Sequence, residues 1–190
     1  MESLNPRHPQ RKHPRLPLEI YKEGHVFFTT LCTEDRHRWF ELHPELTRQA
    51  VTLLKEIGKE RGTLIYVWCF MPDHVHLLVQ DDALPQLVRA FKGRLTPLAR
   101  VFEKGRRLWQ KSFYDHVLRK EESVSTVACY IWENPVRAGL IEDCVAYPWS
   151  GSQVWADWKY YYGSSFACQK EEAADKPPPY GRESRTRLFF

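Results

Sequence analysis

Three absences narrow the reading of this 190-residue chain before any motif is considered. It has five cysteines, Cys32, Cys69, Cys129, Cys144 and Cys168, and no C-x-x-C pair. That removes zinc-ribbon spacing, and the odd count fits buried thiols in a reducing cytosol better than a disulfide framework. No apolar run approaches the length of a membrane span, so no membrane partner is expected. The first residues, "MESLNPRHPQRKHPRLP", are polar and punctuated by proline and lack the apolar core of a signal peptide. A cytoplasmic protein is the expectation. There is no internal repeat. The charge bias is small, +4, which permits a polyanion partner without demanding one.

What is present suits one domain with appendages. Hydrophobic residues make up 43% of the chain, enough for a sizeable core, and seven Trp, nine Tyr and ten Phe enrich it in aromatics. Residues 1–17 read as a flexible basic arm carrying Arg11, Lys12 and Arg15. A catalytic domain is expected over 18–152, followed over 153–190 by an aromatic extension, with Trp155, Trp158 and Tyr160, and a polar tail.

Within the domain, "GHVFFTTLCT" predicts a first strand and "DRHRWFELHP" a loop. Leu46, Ala50, Leu53, Leu54 and Ile57 recur at helical spacing, and Gly62 is a stop signal. Residues 63–71 and 72–80 predict an antiparallel hairpin turning at Pro72-Asp73. A second helix carries Leu84, Leu87, Val88, Phe91, Leu95, Leu98 and Phe102, and Pro97 should kink or split it. Its other face is basic, with Arg89, Lys92, Arg94 and Arg100 as candidate phosphate contacts or as a solvated face. A fourth strand lies within 107–119 and a third helix runs from Ser123 to Asn134. "YPWSG", 147–151, reads as a turn. The order strand, helix, strand, strand, helix, strand, helix is the split β-α-β pattern of an α+β, ferredoxin-like fold. One antiparallel sheet with helices on one face is expected, plus an extra C-terminal helix.

The segment "MPDHVHLLVQ" carries the chemistry. On a strand His74 and His76 share one face, where two imidazoles can chelate a divalent metal or, as core residues, would each need a hydrogen-bond partner. In "CYIWENPVRAGL", Tyr130 and Asn134 lie four apart and flank the apolar stripe of Val127 and Ile131. The first offers a phenol as nucleophile, the second an amide oxygen. Each also has an ordinary reading, as a boundary tyrosine and as an Asn before Pro that ends a helix.

"WCFMPDHVHLLV" followed by "YIWENPVRAGL" resembles the REP-associated tyrosine transposases, which belong to the single-tyrosine HUH transposases. The resemblance runs from about residue 20 to about residue 152. It implies Tyr130 as the catalytic nucleophile and His74, His76 and Asn134 as ligands of Mg²⁺ or Mn²⁺, although related insertion-sequence enzymes often carry Gln where this chain has Asn134. It implies cleavage and rejoining of single-stranded DNA at REP-type hairpins through a 5′-phosphotyrosine, and it favours a DNA role for Lys92. His116 is the candidate for proton transfer, with a structural histidine at a strand end as the alternative. A mobile insertion-sequence transposase, a catalytically silent hairpin-binding protein and a metal-dependent hydrolase stay open beside this reading. So do a monomer and a homodimer.

Overall fold

The computed structural model describes residues 19–22 and 24–162. The basic arm and the tail from 163 onward, including Arg11, Lys12 and Arg15, lie outside the described residues. The chain forms an α+β fold around one antiparallel sheet of five strands: β1 (Val26–Cys32), β2 (Leu64–Met71), β3 (His74–Gln80), β4 (Tyr114–Val117) and β5 (Ser150–Gly151), in the order β4-β1-β3-β2-β5. The first four are the ferredoxin-like arrangement expected from the sequence. None of the described helices is long and apolar enough to cross a membrane.

Two long helices cover one face. α2 (Pro44–Arg61) begins on Pro44, whose missing N–H costs nothing in a first turn, and ends on Gly62 in the left-handed region (φ 70°). α3 (Leu84–Phe102) lies beside it. Their apolar stripes meet Phe27, Leu31, Phe70, Val75, Leu77 and Val79 from the sheet. The opposite face is covered by α4 (Val124–Trp132), capped at Ser123, and it carries a second core of Phe28, Val67, Cys69, Met71, Leu78, Val127, Ile131 and Trp132. Trp132 stacks on Trp158, ring centroids 4.4 Å apart, so the short helix α6 (Trp158–Tyr161) closes this second layer.

Alternation within β3 assigns its residues between the layers. Val75, Leu77 and Val79 face α2 and α3, and His74, His76 and Leu78 face α4. A register shift in β2 between Ile65 and Val67 resets that strand's phase. Ile65 therefore points to the long helices, while Val67, Cys69 and Met71 join the histidine face.

Three local expectations are corrected. The loop expected at "DRHRWFELHP" contains a short helix, α1 (Trp39–Leu42), because Trp39 and Phe40 are fully buried and draw the backbone onto the core. Pro97 does not split α3. It sits on the exposed side with Gly93, whose carbonyl loses its helical partner where water can replace it. "YPWSG" is not only a turn: Ser150 and Gly151 pair with Cys69 and Trp68 as the edge strand β5.

Gly151 is required by this last contact, since a Cβ there would overlap the Trp68 ring. Gly151→Ala is expected to destabilise the fold by about 1–3 kcal/mol through overpacking. Thermal denaturation checks this, and an unchanged melting temperature would mean that β5 does not hold Trp68.

Candidate active site

Strand register builds the histidine pair. His76 lies opposite Thr30 on β1 and Cys69 on β2, and His74 lies opposite Cys32 and Met71. All these side chains emerge on the α4 face. The His76 Nδ1 is 2.9 Å from the Thr30 hydroxyl, and the His74 Nδ1 is 2.6 Å from the Asp73 carboxylate. With each Nδ1 held, both Nε2 atoms turn inward and stand 3.0 Å apart. An Nδ1–H donated to a carboxylate fixes the tautomer that leaves the Nε2 lone pair for a ligand. Phe28 stacks on the His76 ring at 5.4 Å and seals one side.

Electrostatics keep His76 in its ligating form. Burial holds the His76 pKa well below the usual imidazole value, and the charges of His74, Arg137 and Arg36 push the same way. Burial alone would raise the Asp73 carboxyl, but the hydrogen bond and charge of His74, with Arg36, outweigh it and lower its pKa. Arg36 reaches Asp73 at 3.5 Å from a turn in which both Asp35 and Arg36 have positive φ, 52° and 54°. Two successive non-glycine residues in that region cost of order 1–3 kcal/mol each, which the surrounding contacts must offset.

Tyr130 arrives on α4. It packs, half-buried, against the second core, and the Arg137 guanidinium lies 4.0 Å from its ring centroid. Arg137, on the short helix α5 (Asn134–Arg137), also pairs with Glu133 at 3.1 Å and donates to the Tyr130 carbonyl. The charge that reaches His76 is thus the one that covers Tyr130. Asn134 has a local task as well. Pro135 cannot donate to the carbonyl four residues back, Ile131. The Asn134 Nδ2 does so instead, at 3.2 Å, and also reaches the Tyr130 carbonyl at 3.2 Å. Both amide protons face the helix end, and among the described residues no hydrogen bond joins Asn134 to either imidazole.

The other sequence-stated candidates separate. His116 lies opposite Phe28, on the histidine face, with its Nε2 3.0 Å from Glu122 just ahead of α4. Lys92 turns inward, donating to the Gln110 and Ser112 carbonyls at 2.9 Å and standing 5.7 Å over Trp109. Arg94 pairs with Glu60 at 2.7 Å, whereas Arg89 and Arg100 are exposed. Trp155 and Trp158 pack on Trp132, and Tyr160 is exposed.

Four contributors were not read from the sequence: Thr30, Asp73, Arg36 and Arg137. Asp73 adjoins His74, and Arg137 is two helical turns beyond Tyr130, so spacing pointed to both. Thr30 and Arg36 become visible only through strand register and turn conformation. Among the described residues no three His, Cys, Asp or Glu side chains form a metal cage. Two inward Nε2 atoms with anchored Nδ1 atoms fit a divalent ion.

Comparison with known proteins places the chain in a family. The sequence model of the family described as "Transposase IS200 like" matches residues 24–134. The REP-associated tyrosine transposase of Escherichia coli K12 is 25% identical over 132 residues, spanning 68% of this chain and 76% of that protein. The ISDra2 transposase of Deinococcus radiodurans is 34% identical over 86 residues, 41% of this chain and 60% of that one. A solved structure of a REP-associated tyrosine transposase bound to a REP hairpin shares the fold, with a TM-score of 0.56 and 23% identity over 67% of this chain and 76% of its own. These findings bear out the resemblance carried by the two motifs, and the family match covers the paired histidines, Tyr130 and Asn134: the chain belongs to the IS200-like transposase family.

Proposed function

We propose that the protein is a metal-dependent single-stranded DNA transesterase that cuts and rejoins DNA beside REP-type hairpins through Tyr130. The observation that carries this reading is the convergence of both Nε2 atoms, 3.0 Å apart, on the sheet face that α4 covers. The similarity to a REP-associated tyrosine transposase, and to one solved with a REP hairpin, supports the choice of DNA target.

His74 Nε2, His76 Nε2 and the Asn134 Oδ1, directly or through water, would hold Mg²⁺ or Mn²⁺. When bound, such an ion polarises a phosphate and stabilises charge on the departing oxygen. The Tyr130 Oη attacks the scissile phosphorus. The bond from phosphorus to the 3′ oxygen breaks, and the phosphorus stays bonded to its 5′ oxygen and now to Tyr130. The phenol proton ends on the leaving 3′-hydroxyl, with His116, on the same sheet face, as the candidate to carry it. One phosphodiester replaces another, so a second 3′-hydroxyl can reverse the step without ATP. Arg137 steadies the phenol ring and supplies positive charge to offset the negative charge that builds on the phosphate during attack. Asp73 and Thr30 hold the imidazoles in position, and Phe28 restricts water on one side.

Tyr130→Phe keeps the ring under Arg137 and deletes only the hydroxyl. It should abolish the covalent protein–DNA adduct with a labelled hairpin and Mn²⁺ while hairpin binding survives. An adduct formed by the variant would move the nucleophile to another residue, with Tyr114 on the same face the first to test.

Thr30→Val removes the oxygen on the His76 Nδ1 without changing side-chain shape. Mn²⁺ affinity measured by calorimetry should fall by about 10- to 100-fold, the usual effect of losing an outer-shell partner. Equal affinity would separate the histidine pair from metal binding.

A further inference from the structure

The family match ends at residue 134, and the segment that closes the second layer lies beyond it. That segment reaches the end of α4 through one polar contact. Tyr162, which follows α6, sets its ring against Trp132 and Trp158, with centroids 6.3 and 6.2 Å away. Those two ring contacts would hold a phenylalanine equally well. The hydroxyl has a separate use: it donates to the Glu133 Oε1 at 2.6 Å. Burial, and after it the Glu133 carboxylate, raise the Tyr162 pKa, so the phenol stays a donor.

Glu133 lies between Tyr130 and Asn134, at the end of α4. Its two carboxylate oxygens are divided. Oε1 accepts from the Tyr162 hydroxyl, and Oε2 accepts from the Arg137 Nη1 at 3.1 Å. A carboxylate with both oxygens open pairs with a guanidinium as a fork of two parallel bonds. With one oxygen engaged, Glu133 offers Arg137 only the other. Arg137 then keeps its second terminal nitrogen on the Tyr130 carbonyl, and its guanidinium stays 4.0 Å from the Tyr130 ring centroid. A cation held over a ring is a weaker contact than a bidentate ion pair, so the balance between the two turns on Glu133.

We propose that Tyr162 is a positioning residue for the nucleophile: its hydroxyl restrains Glu133, and Glu133 so restrained leaves the Arg137 guanidinium over Tyr130. The inference rests on the transesterase reading and extends it. The aromatic extension is thereby a working part of the active site as well as a cover for the second core.

The test is a double-mutant cycle on the rate of covalent adduct formation with a labelled hairpin and Mn²⁺. Tyr162→Phe keeps the ring on both tryptophans and deletes the hydroxyl, so the variant is expected to fold, with its melting temperature monitored in parallel. Glu133 can then take Arg137 with both oxygens, and the adduct rate should fall by about 3- to 30-fold, the range for residues coupled in one network. Glu133→Gln removes the carboxylate that competes for Arg137. In that background Tyr162→Phe should change the rate by less than about 2-fold. A second readout needs no activity: the NMR signal of the Arg137 guanidinium, which the Tyr130 ring current shifts upfield. Tyr162→Phe should remove most of that shift, and Glu133→Gln/Tyr162→Phe should restore it. A wild-type rate in Tyr162→Phe, an equal loss in the Glu133→Gln background, or an unchanged guanidinium signal overturns the assignment of Tyr162. Adduct formation by the wild type in those cases leaves the transesterase reading standing. If the wild type forms no adduct on any hairpin, the transesterase reading fails, and the guanidinium signal alone decides whether Tyr162 positions Arg137.

Discussion

Two imidazoles cannot aim their Nε2 atoms at one point unless their Nδ1 atoms are held elsewhere. In this protein one anchor is local and the other crosses the sheet. Asp73 precedes His74 in the hairpin turn, whereas Thr30 meets His76 only because β1 and β3 pair in a single register. A slip of one residue would turn both histidines into the other core. The site is therefore a property of the sheet as a whole. The long helices on the far face stabilise that register by burying Val75, Leu77 and Val79, each worth roughly 1.5–3 kcal/mol.

The second layer sets the surroundings of the histidines as well as stabilising the sheet. A sheet with one wet face would leave the histidines hydrated. Here α4, Trp132 and Trp158 cover the neighbouring surface, and burial keeps His76 in its neutral form. A positive charge is then brought back by Arg137, placed where it acts on both His76 and Tyr130. Apolar cover thus coexists with a deliberate cation, which suits a polyanionic substrate.

Much of this was legible in the sequence, for physical reasons. The two-residue period of "HVHLLV" puts both histidines on one face, and the 3.6-residue period of 44–61 and 84–102 gives the long helices. Tyr130 and Asn134 were legible as a pair one turn apart, although their distance from the histidines was not. What escaped depends on long-range pairing. β5 is two residues long and exists because β2 offers an edge; α1 exists because Trp39 and Phe40 find the core. The register shift in β2 is equally silent, since unbroken alternation would send Ile65 to the histidine face. The basic stripe of α3 was legible as charge but not as use: Lys92 and Arg94 are spent on carbonyls and carboxylates within the fold.

Pro135 and Asn134 act as one unit. The proline removes a backbone donor, and the neighbouring amide restores it with a side chain. Position 134 consequently carries a demand of its own: a side-chain donor for the end of the helix. Alanine offers none, and aspartate when ionised only accepts. A primary carboxamide supplies two N–H groups, one for each open carbonyl. The proline beside the site thus acts as a filter on which residues the lineage can try there.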